Sequence, residues 1–227
     1  EIKLRRFVAD ASHELRTPLT AIRGFAELHR QGAVTGEEKT KELIGRIEKE
    51  SIRMGSLVED LLMLARLDQG PELSKDPVDI SHLIQEVVES ARAAGPDHPI
   101  TVAVPNELFV LGDSMRIHQA IANLLANART HTPAGTNIAV NTEINDDETF
   151  VTVSDEGPGL SKEDQDRIFE RFFRADPSRK RTSGEGSGLG LAIVDAVMKA
   201  HGGSVTVASE VGKGAAFTLH FPITHLN

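Results

Sequence analysis

The sequence predicts a helical hairpin followed by an α+β sandwich, in which helices cover a mixed β-sheet. Three observations lead to this fold class. Apolar residues recur at helical spacing over residues 1–69, a stretch rich in Gly and Pro follows at 70–77, and helix-like and strand-like patterns then alternate over residues 78–227. A chain of 227 residues is long enough for two such domains. We therefore expect a hairpin domain, a linker and a larger domain with these boundaries.

The hairpin is predicted from two apolar stripes that are separated by a break. The first stripe runs from Leu4 to Ala26, and the break at Gln31–Gly36 contains two Gly residues. The second stripe lies between Glu37 and Asp68 and alternates steps of three and four residues, which is a heptad pattern. Because two helices alone bury such stripes poorly, we expect two hairpins to form a dimeric four-helix bundle. The heptad positions are Ile44, Ile47, Ser51, Met54, Val58, Leu61 and Ala65.

The larger domain is predicted from shorter patterns of both kinds. Strand-like segments interleave with helical ones and include hairpin-like pairs, which indicates a mixed sheet covered by helices. Helical spacing occurs at 81–94 and 114–129, and strand-like alternation at 100–104, 137–143, 150–154, 205–208 and 216–221.

Composition restricts the function. The formal net charge is -9; residues 1–69 carry 12 basic and 12 acidic side chains, and the remainder carries 13 and 22. Nucleic-acid binding needs a positive surface, so we expect no nucleic-acid partner. The absence of Cys excludes disulfides and thiolate metal sites. No apolar run reaches the length of a membrane span, so we expect no direct membrane contact by this chain.

A histidine on the first helix is a candidate nucleophile. His13 lies two residues from both Ala11 and Leu15, so at about 100° per residue it points away from the apolar stripe. Thr17 is one turn further on and shares its face, and Pro18 is predicted to kink the helix just beyond. A neutral imidazole is a competent nucleophile near neutral pH.

The neighbouring Glu14 could orient this ring and accept the proton that is released on attack. A surface histidine without a function is the simpler interpretation, since the chain has nine His. A zinc-protease helix is excluded, because it needs a second His four residues after the first, where this chain has Thr17.

Two asparagines in the larger domain form a candidate metal site. Asn123 and Asn127 are four residues apart, so their amides share one face of a helix. Oxygen ligands suit Mg²⁺, which retains several waters and binds substrate phosphates. Taken alone, such a pair is more often only structural.

An acidic strand end with glycines after it is a candidate ligand site. Asp155 ends a predicted strand, and Gly157 and Gly159 allow the backbone to approach a ligand closely. The alternative interpretation is a simple turn.

A second glycine-rich segment leads into a predicted helix. Backbone N–H groups at a helix start bind phosphate, and the candidates are Gly186, Gly188, Leu189 and Gly190. The segment is neither a dinucleotide fingerprint nor a Walker loop, because no strand leads directly into it and no Gly-Lys-Ser/Thr follows. A basic cluster precedes it and is either a solvated run of charge or a mobile lid that meets a triphosphate. The cluster contains Arg171, Arg174, Arg179, Lys180 and Arg181.

Taken together, these segments resemble the sensor histidine kinases. FVADASHELRTPL at 7–19 is similar to their phosphoacceptor box, and NLLANARTHTP at 123–133 resembles their N box. VTVSDEGPGL at 151–160 and GEGSGLGLAIV at 184–194 resemble the two glycine boxes, and IFERFFR at 168–174 resembles the F box. The five motifs have the order of the family and extend over nearly the whole chain.

The resemblance implies a dimerisation and phosphotransfer domain followed by an ATP-binding domain of the GHKL type. ATP with Mg²⁺ is the implied phosphoryl donor, His13 the phosphorylated residue and Glu14 the assisting base. Thr17 is implied to position water for a phosphatase activity. Asp155 is implied to accept a hydrogen bond from the adenine amino group, and the glycine boxes and the arginines Arg171 and Arg174 to surround the nucleotide.

The N box agrees with the family in part. Asn127 is implied to hold Mg²⁺, with Asn123 beside it. The sequence departs from the family at Thr130 and His131, where a basic and an aromatic residue are common. We expect Arg129 to replace the former in part and His131 to stack on adenine.

The resemblance also implies a homodimer that passes the phosphoryl group from His13 to an aspartate in the receiver domain of a response regulator. Transfer within one chain and transfer across the dimer both stay open. The first residues look like the interior of a helix, so we expect the chain to be part of a longer one. The resemblance implies that it is the cytoplasmic portion of a membrane-bound sensor. Two alternative functions predict other sequences. A gyrase-like or Hsp90-like ATPase would lack the motif around His13, and an inactive scaffold protein would have substitutions in the family motifs.

Overall fold

The computed structural model describes residues 2–70, 74–175 and 187–223. The chain divides into two compact units, Glu1–Ala65 and Arg66–Asn227. Within the described ranges, no helix has both the length and the apolar character that are needed to cross a membrane.

Two long helices form the first unit and confirm the predicted hairpin. Helix α1 spans Ile2–Arg30 and continues through Pro18, and helix α2 spans Glu37–Asp68, as predicted. In the turn between them, the backbone N–H of Ala33 donates to the carbonyl oxygen of Leu28 at 3.1 Å. The last three residues of α2 are grouped with the second unit.

Helix α2 carries apolar residues on two adjacent faces. Leu43 and Leu57 are buried, whereas Ile44 and Val58 are 58% and 41% exposed. Ile44 and Val58 belong to the predicted heptad stripe, and Leu62 beside them is 52% exposed. A single chain therefore leaves part of the stripe uncovered.

The second unit contains seven strands and four helices within the described ranges. Its elements are β1 (Asp76–Asp79), α3 (Ile80–Ala94), β2 (Ile100–Ala103), β3 (Phe109–Gly112), α4 (Ser114–His131), β4 (Ile138–Ile144), β5 (Glu148–Asp155), α5 (Lys162–Arg167), α6 (Gly190–Ala200), β6 (Ser204–Ser209) and β7 (Ala215–Pro222).

The predicted mixed sheet is confirmed. Five strands have the order β2-β4-β5-β7-β6, and β2 pairs parallel to β4 while the other pairs are antiparallel. Alternate side chains of the central strands are fully buried, as Val151 and Leu219 show, because α4 packs on β5 and α6 packs on β6 and β7. Helices α3 and α6 both pack against α4. The site residues on α4, β5 and α6 are thus anchored in one core.

Three short elements were not predicted: β1, β3 and α5. Strands β1 and β3 have four residues each and pair with each other antiparallel, so only this tertiary pairing defines them. Asp76 and Pro77, which fall in the predicted linker, belong to β1. Helix α5 has six residues and no buried side chain, so it shows no apolar periodicity.

Candidate functional site

Asp155 is at the centre of the predicted ligand site. It is the last residue of β5, where its backbone pairs with Ile138 of β4 and Ala215 of β7. Burial raises the pKa of its carboxyl, while hydrogen bonds from the backbone N–H groups of Gly157 and Ala215 and the nearby His131 act in the opposite direction. The Gly157 N–H donates to Asp155 Oδ1 at 2.9 Å. A half-buried carboxyl with fixed donors suits recognition of a polar ligand group.

The glycines around Asp155 are required by close packing. A Cβ on Gly157 would lie 2.5 Å from Cγ2 of Thr132 and 2.7 Å from Oδ1 of Asp155. Gly214 has a φ of 85°, and a Cβ there would overlap the backbone oxygen of Asp155. Side chains at these positions would displace the carboxyl that the site depends on.

The loop after β5 is bound to the loop between β6 and β7. Gly159 has a φ of 68°, and a Cβ there would overlap the carbonyl oxygen of Glu210. The Gly212 N–H donates to the carbonyl oxygen of Pro158 at 2.7 Å, and the Leu160 N–H donates to Oγ of Ser209 at 2.8 Å. The first glycine box is therefore held in place by residues that lie far from it in the sequence.

The two asparagines of α4 have different surroundings. Asn123 Nδ2 donates to the carbonyl oxygen of Gly190 at 3.2 Å, and Asn123 Oδ1 accepts from Nε2 of Gln119 at 3.0 Å. The half-buried Asn127 amide makes no hydrogen bond within the parts of the chain that the structure describes. Asn127 is therefore the better candidate for a metal ligand, and Asn123 connects α4 to α6.

The end of α4 brings His131 to the site and directs Arg129 elsewhere. His131 is exposed at the last position of the helix, and in its protonated form it lowers the pKa of the Asp155 carboxyl. Arg129 Nη1 donates to the carbonyl oxygen of Ala91 at 2.9 Å, and its Cδ lies 3.0 Å from where a Cβ on Gly95 would be. These contacts place the Arg129 guanidinium at the end of α3, and its predicted nucleotide role stays a prediction.

The predicted phosphate-binding segment has the required helix start. Helix α6 begins at Gly190 directly after the buried Leu189, and no side chain caps it. Its first N–H groups have no partner within the helix, which leaves them available to an anion. Gly188 has a φ of 73° and lies against the backbone of Phe172, whose N–H donates to the Gly188 carbonyl oxygen at 2.9 Å. The F box thereby orients the second glycine box.

Part of the predicted lid can be placed. Arg171 Nη2 is 2.6 Å from Oδ1 of Asp68, within the second unit, and Arg174 is half-buried. Both arginines also take part in other polar, ring or electrostatic interactions. Gly186 lies outside the described residues, as do Arg179, Lys180 and Arg181.

Among the described residues, no cluster of carboxylates or imidazoles forms a metal site beside Asn127. In residues 2–70, 74–175 and 187–223, no group of three or more His, Asp and Glu side chains is placed to hold an ion. A metal held by Asn127 would need most of its ligands from substrate oxygens and water, as Mg²⁺ prefers.

The candidate nucleophile lies in the first unit. His13 is exposed on α1, as predicted, and Glu14 next to it is half-buried. The Thr17 hydroxyl donates to the His13 carbonyl oxygen at 3.4 Å, a long bond that keeps Thr17 one turn beyond His13 on the same helix. The imidazole is thus open to a large reaction partner.

Three residues of the candidate ligand site were missed by sequence reasoning: Gln119, Thr132 and Gly214. Thr132 and Gly214 contact predicted site residues only through the fold, whereas Gln119 lies one turn before Asn123 on the predicted helix. Gly214 carried a partial signal, since two Gly between predicted strands indicate a turn. Nothing in that pattern indicates its contact with Asp155.

Family comparisons agree with this arrangement. Residues 3–70 match the His Kinase A (phospho-acceptor) domain, and residues 112–225 match the family described as histidine kinase-, DNA gyrase B- and HSP90-like ATPase. A Mycobacterium tuberculosis protein named "Probable sensor histidine kinase TcrY" is 47% identical over 98% of this chain, which spans 46% of that protein. This chain therefore spans less than half of that relative.

Solved structures show the same architecture. Full-length ShkA in complex with AMPPNP has a TM-score of 0.70 and 31% identity, covering 98% of this chain and 47% of ShkA. Histidine kinase ThkA in complex with the response regulator protein TrrA has a TM-score of 0.75 and 25% identity, covering 96% of this chain and 61% of that chain.

Proposed function

This chain belongs to the sensor histidine kinase family, and we propose that it transfers the γ-phosphoryl group of ATP to His13 and then to an aspartate of a response regulator. The observation that carries the proposal is the presence in one chain of an exposed His13 on a helical hairpin and of a helix start without a side-chain cap, which Asn123 of α4 contacts at Gly190. A GHKL ATPase would need only the second feature.

In the first step, a ring nitrogen of His13 attacks the γ-phosphorus. The N–P bond forms, the bond from the γ-phosphorus to the β,γ-bridging oxygen breaks, and ADP leaves with the electron pair. Glu14 accepts the ring proton, since it is the adjacent carboxylate on α1. In the second step, the phosphoryl group passes to a carboxylate oxygen of the receiver domain and His13 is restored.

The nucleotide-binding residues act mainly by positioning, as expected for a loose transition state. Asp155 accepts a hydrogen bond from the adenine amino group, and the N–H groups at the start of α6 bind phosphate oxygens. Mg²⁺, when bound through Asn127, would neutralise charge on the phosphates. The amide of Asn127 fits this task because none of the described residues hydrogen-bonds to it.

A homodimer is part of this proposal. The exposed apolar residues Ile44, Val58 and Leu62 lie on α2, where a second hairpin would cover them in a four-helix bundle. The location on the cytoplasmic side of a membrane stays a prediction from the family resemblance. Fractionation of cells that express the natural full-length protein tests it.

We also infer a phosphatase activity toward the phosphorylated regulator. Thr17 lies one turn from His13, and its hydroxyl oxygen could position a water at the same surface. Thr17→Ala is expected to slow regulator dephosphorylation at least tenfold and to leave autophosphorylation within about twofold of the parent. Equal losses in both reactions would remove this role from Thr17.

The proposed kinase reaction is tested with γ-labelled ATP and Mg²⁺ on the parent chain and on His13→Gln. Label that forms only in the parent, and that is acid-labile and alkali-stable, establishes phosphohistidine at His13. Label that persists in His13→Gln would contradict the assignment. Steady ATP hydrolysis without protein label would favour the ATPase alternative.

A further inference from the structure

We propose that Gln119 is a positioning residue for the nucleotide phosphates, acting through Asn123; this rests on the proposed ATP-dependent function. Gln119 belongs to none of the segments that sequence reasoning assigned to the site. In the structure it begins a chain of two hydrogen bonds: Gln119 Nε2 donates to Asn123 Oδ1 at 3.0 Å, and Asn123 Nδ2 donates to the Gly190 carbonyl oxygen at 3.2 Å. This chain ends on the first residue of α6.

The direction of the chain is fixed by its last member. A backbone carbonyl only accepts hydrogen bonds, so the nitrogen of the Asn123 amide must face Gly190. The oxygen of the same amide then faces Gln119, which must donate. Gln119 thus restrains the Asn123 amide in the orientation that the Gly190 carbonyl requires, because it satisfies the amide oxygen.

The connection lies where the phosphate and metal sites meet. Asn123 is one turn from Asn127 on α4, and the Cβ position of Gly190 is 3.8 Å from Cγ of Asn123. Fixing the Asn123 amide therefore fixes the start of α6 relative to Asn127. Since Asp155 lies on β5, we expect the adenine end of the site to be independent of this connection.

Two substitutions test the proposal through binding measurements by calorimetry, with ATP–Mg²⁺ and ADP–Mg²⁺, and by NMR titration with adenosine. Gln119→Met keeps the side-chain size and removes the donor; we expect about three- to tenfold weaker binding of ATP and ADP. Gln119→Glu keeps the shape but turns an acceptor toward Asn123 Oδ1, so the loss should reach about ten- to hundredfold. Adenosine affinity should stay within about twofold of the parent in both variants.

Gln165→Met is the matched control. Gln165 is also half-buried, and its Nε2 donates to the carbonyl oxygens of Leu160, in the loop after β5, and of Ser209, at the end of β6, at 3.1 and 3.0 Å. Its loss should leave the ratio of ATP affinity to adenosine affinity at the parent value. A loss in this ratio as large as that of Gln119→Met would overturn the proposal, because it would show a general loosening of the domain.

A double-mutant cycle tests whether Gln119 acts through Asn123. On an Asn123→Ala background, Gln119→Met should change ATP affinity by less than twofold, since the connection is already broken. A full and additive loss would contradict action through Asn123. Failure of the proposed function has a separate signature: the parent chain itself would then bind neither ATP nor ADP.

Discussion

The two regions that carry the proposed chemistry are built in opposite ways. His13 lies exposed on a long regular helix, and its position follows from helical spacing alone. The nucleotide-binding region depends on contacts between distant segments. Gly214 packs against Asp155, and Asn123 donates a hydrogen bond to Gly190, which lies 67 residues further along the chain. Substitutions in the first region should therefore change chemistry without changing stability, whereas those in the second should change both.

The largest effect is expected at Gly214. Its φ of 85° disfavours any side chain, and a Cβ would overlap the backbone of Asp155, so Gly214→Ala should lower the free energy of unfolding by about 3 kcal/mol or more. Nucleotide affinity should fall with it. Urea unfolding followed by circular dichroism measures the stability, since the chain has no Trp or Tyr for fluorescence.

Gly212→Ala in the same loop is the matched control for this substitution. Gly212 has a φ of 83°, but a Cβ there would meet nothing within 4 Å. Only the backbone strain remains, which costs about 1–2 kcal/mol. Equal losses for the two variants would mean that strain alone, and not the contact with Asp155, explains why glycine occupies position 214.

In the hairpin, the effect of comparable size should appear in assembly and not in folding. Ile44→Lys places a charge on the exposed stripe, and a two-fold interface contains each substitution twice. Losing two buried Ile side chains should raise the dimer dissociation constant about 100-fold or more, as sedimentation would measure.

Ser56→Lys, at an exposed polar position of α2, adds the same charge away from the apolar stripe and serves as the control. It should leave the dimer intact. Unchanged sedimentation of Ile44→Lys would exclude this face as the interface.

The same contrast explains how much the sequence could predict. Helix α2 has its predicted bounds because a heptad repeat over 32 residues is a local signal. His13 is exposed as predicted for the same reason. The elements β1 and β3 could not be predicted, since each has four residues and is defined by pairing with the other.

The hydrogen-bond partners of side chains in the second unit could not all be predicted from local sequence patterns either. Arg129 was expected to replace in part the basic residue that is common at the position of Thr130. Its guanidinium instead donates to the carbonyl oxygen of Ala91, a contact set by the packing of α3 on α4. Asn123 seemed equivalent to Asn127 because helical spacing places both on one face. Their difference arises from Gln119, one turn before Asn123 on α4, and from Gly190, which only the folded chain brings to Asn123.

Asp155 should show a smaller effect that depends on pH. Burial raises the pKa of its carboxyl in the folded state, so between the unfolded and folded pKa values the folded chain binds more protons. Stability must then fall as pH rises through this window. Asp155→Asn should therefore gain stability relative to the parent on going from about pH 3 to pH 7.

Measurements of the free energy of unfolding at both pH values test this prediction. The same variant should bind adenosine at least about tenfold more weakly, because a hydrogen bond to a charged group is lost. A stability difference that does not vary with pH would show that Asp155 has the same pKa in the folded and unfolded states.

The smallest stability effect is expected for the substitution with the largest effect on chemistry. His13→Gln alters an exposed side chain on a regular helix, so the free energy of unfolding should change by less than about 0.5 kcal/mol. Phosphorylation of the chain should nevertheless disappear, and ATP affinity should match that of the parent. A loss of stability above about 1 kcal/mol would mean that His13 has a structural partner in the assembled protein, because an imidazole open to solvent has no packing to lose. Such a result would remove the contrast between the two regions, since substitutions in either region would then change both the activity and the stability of the fold.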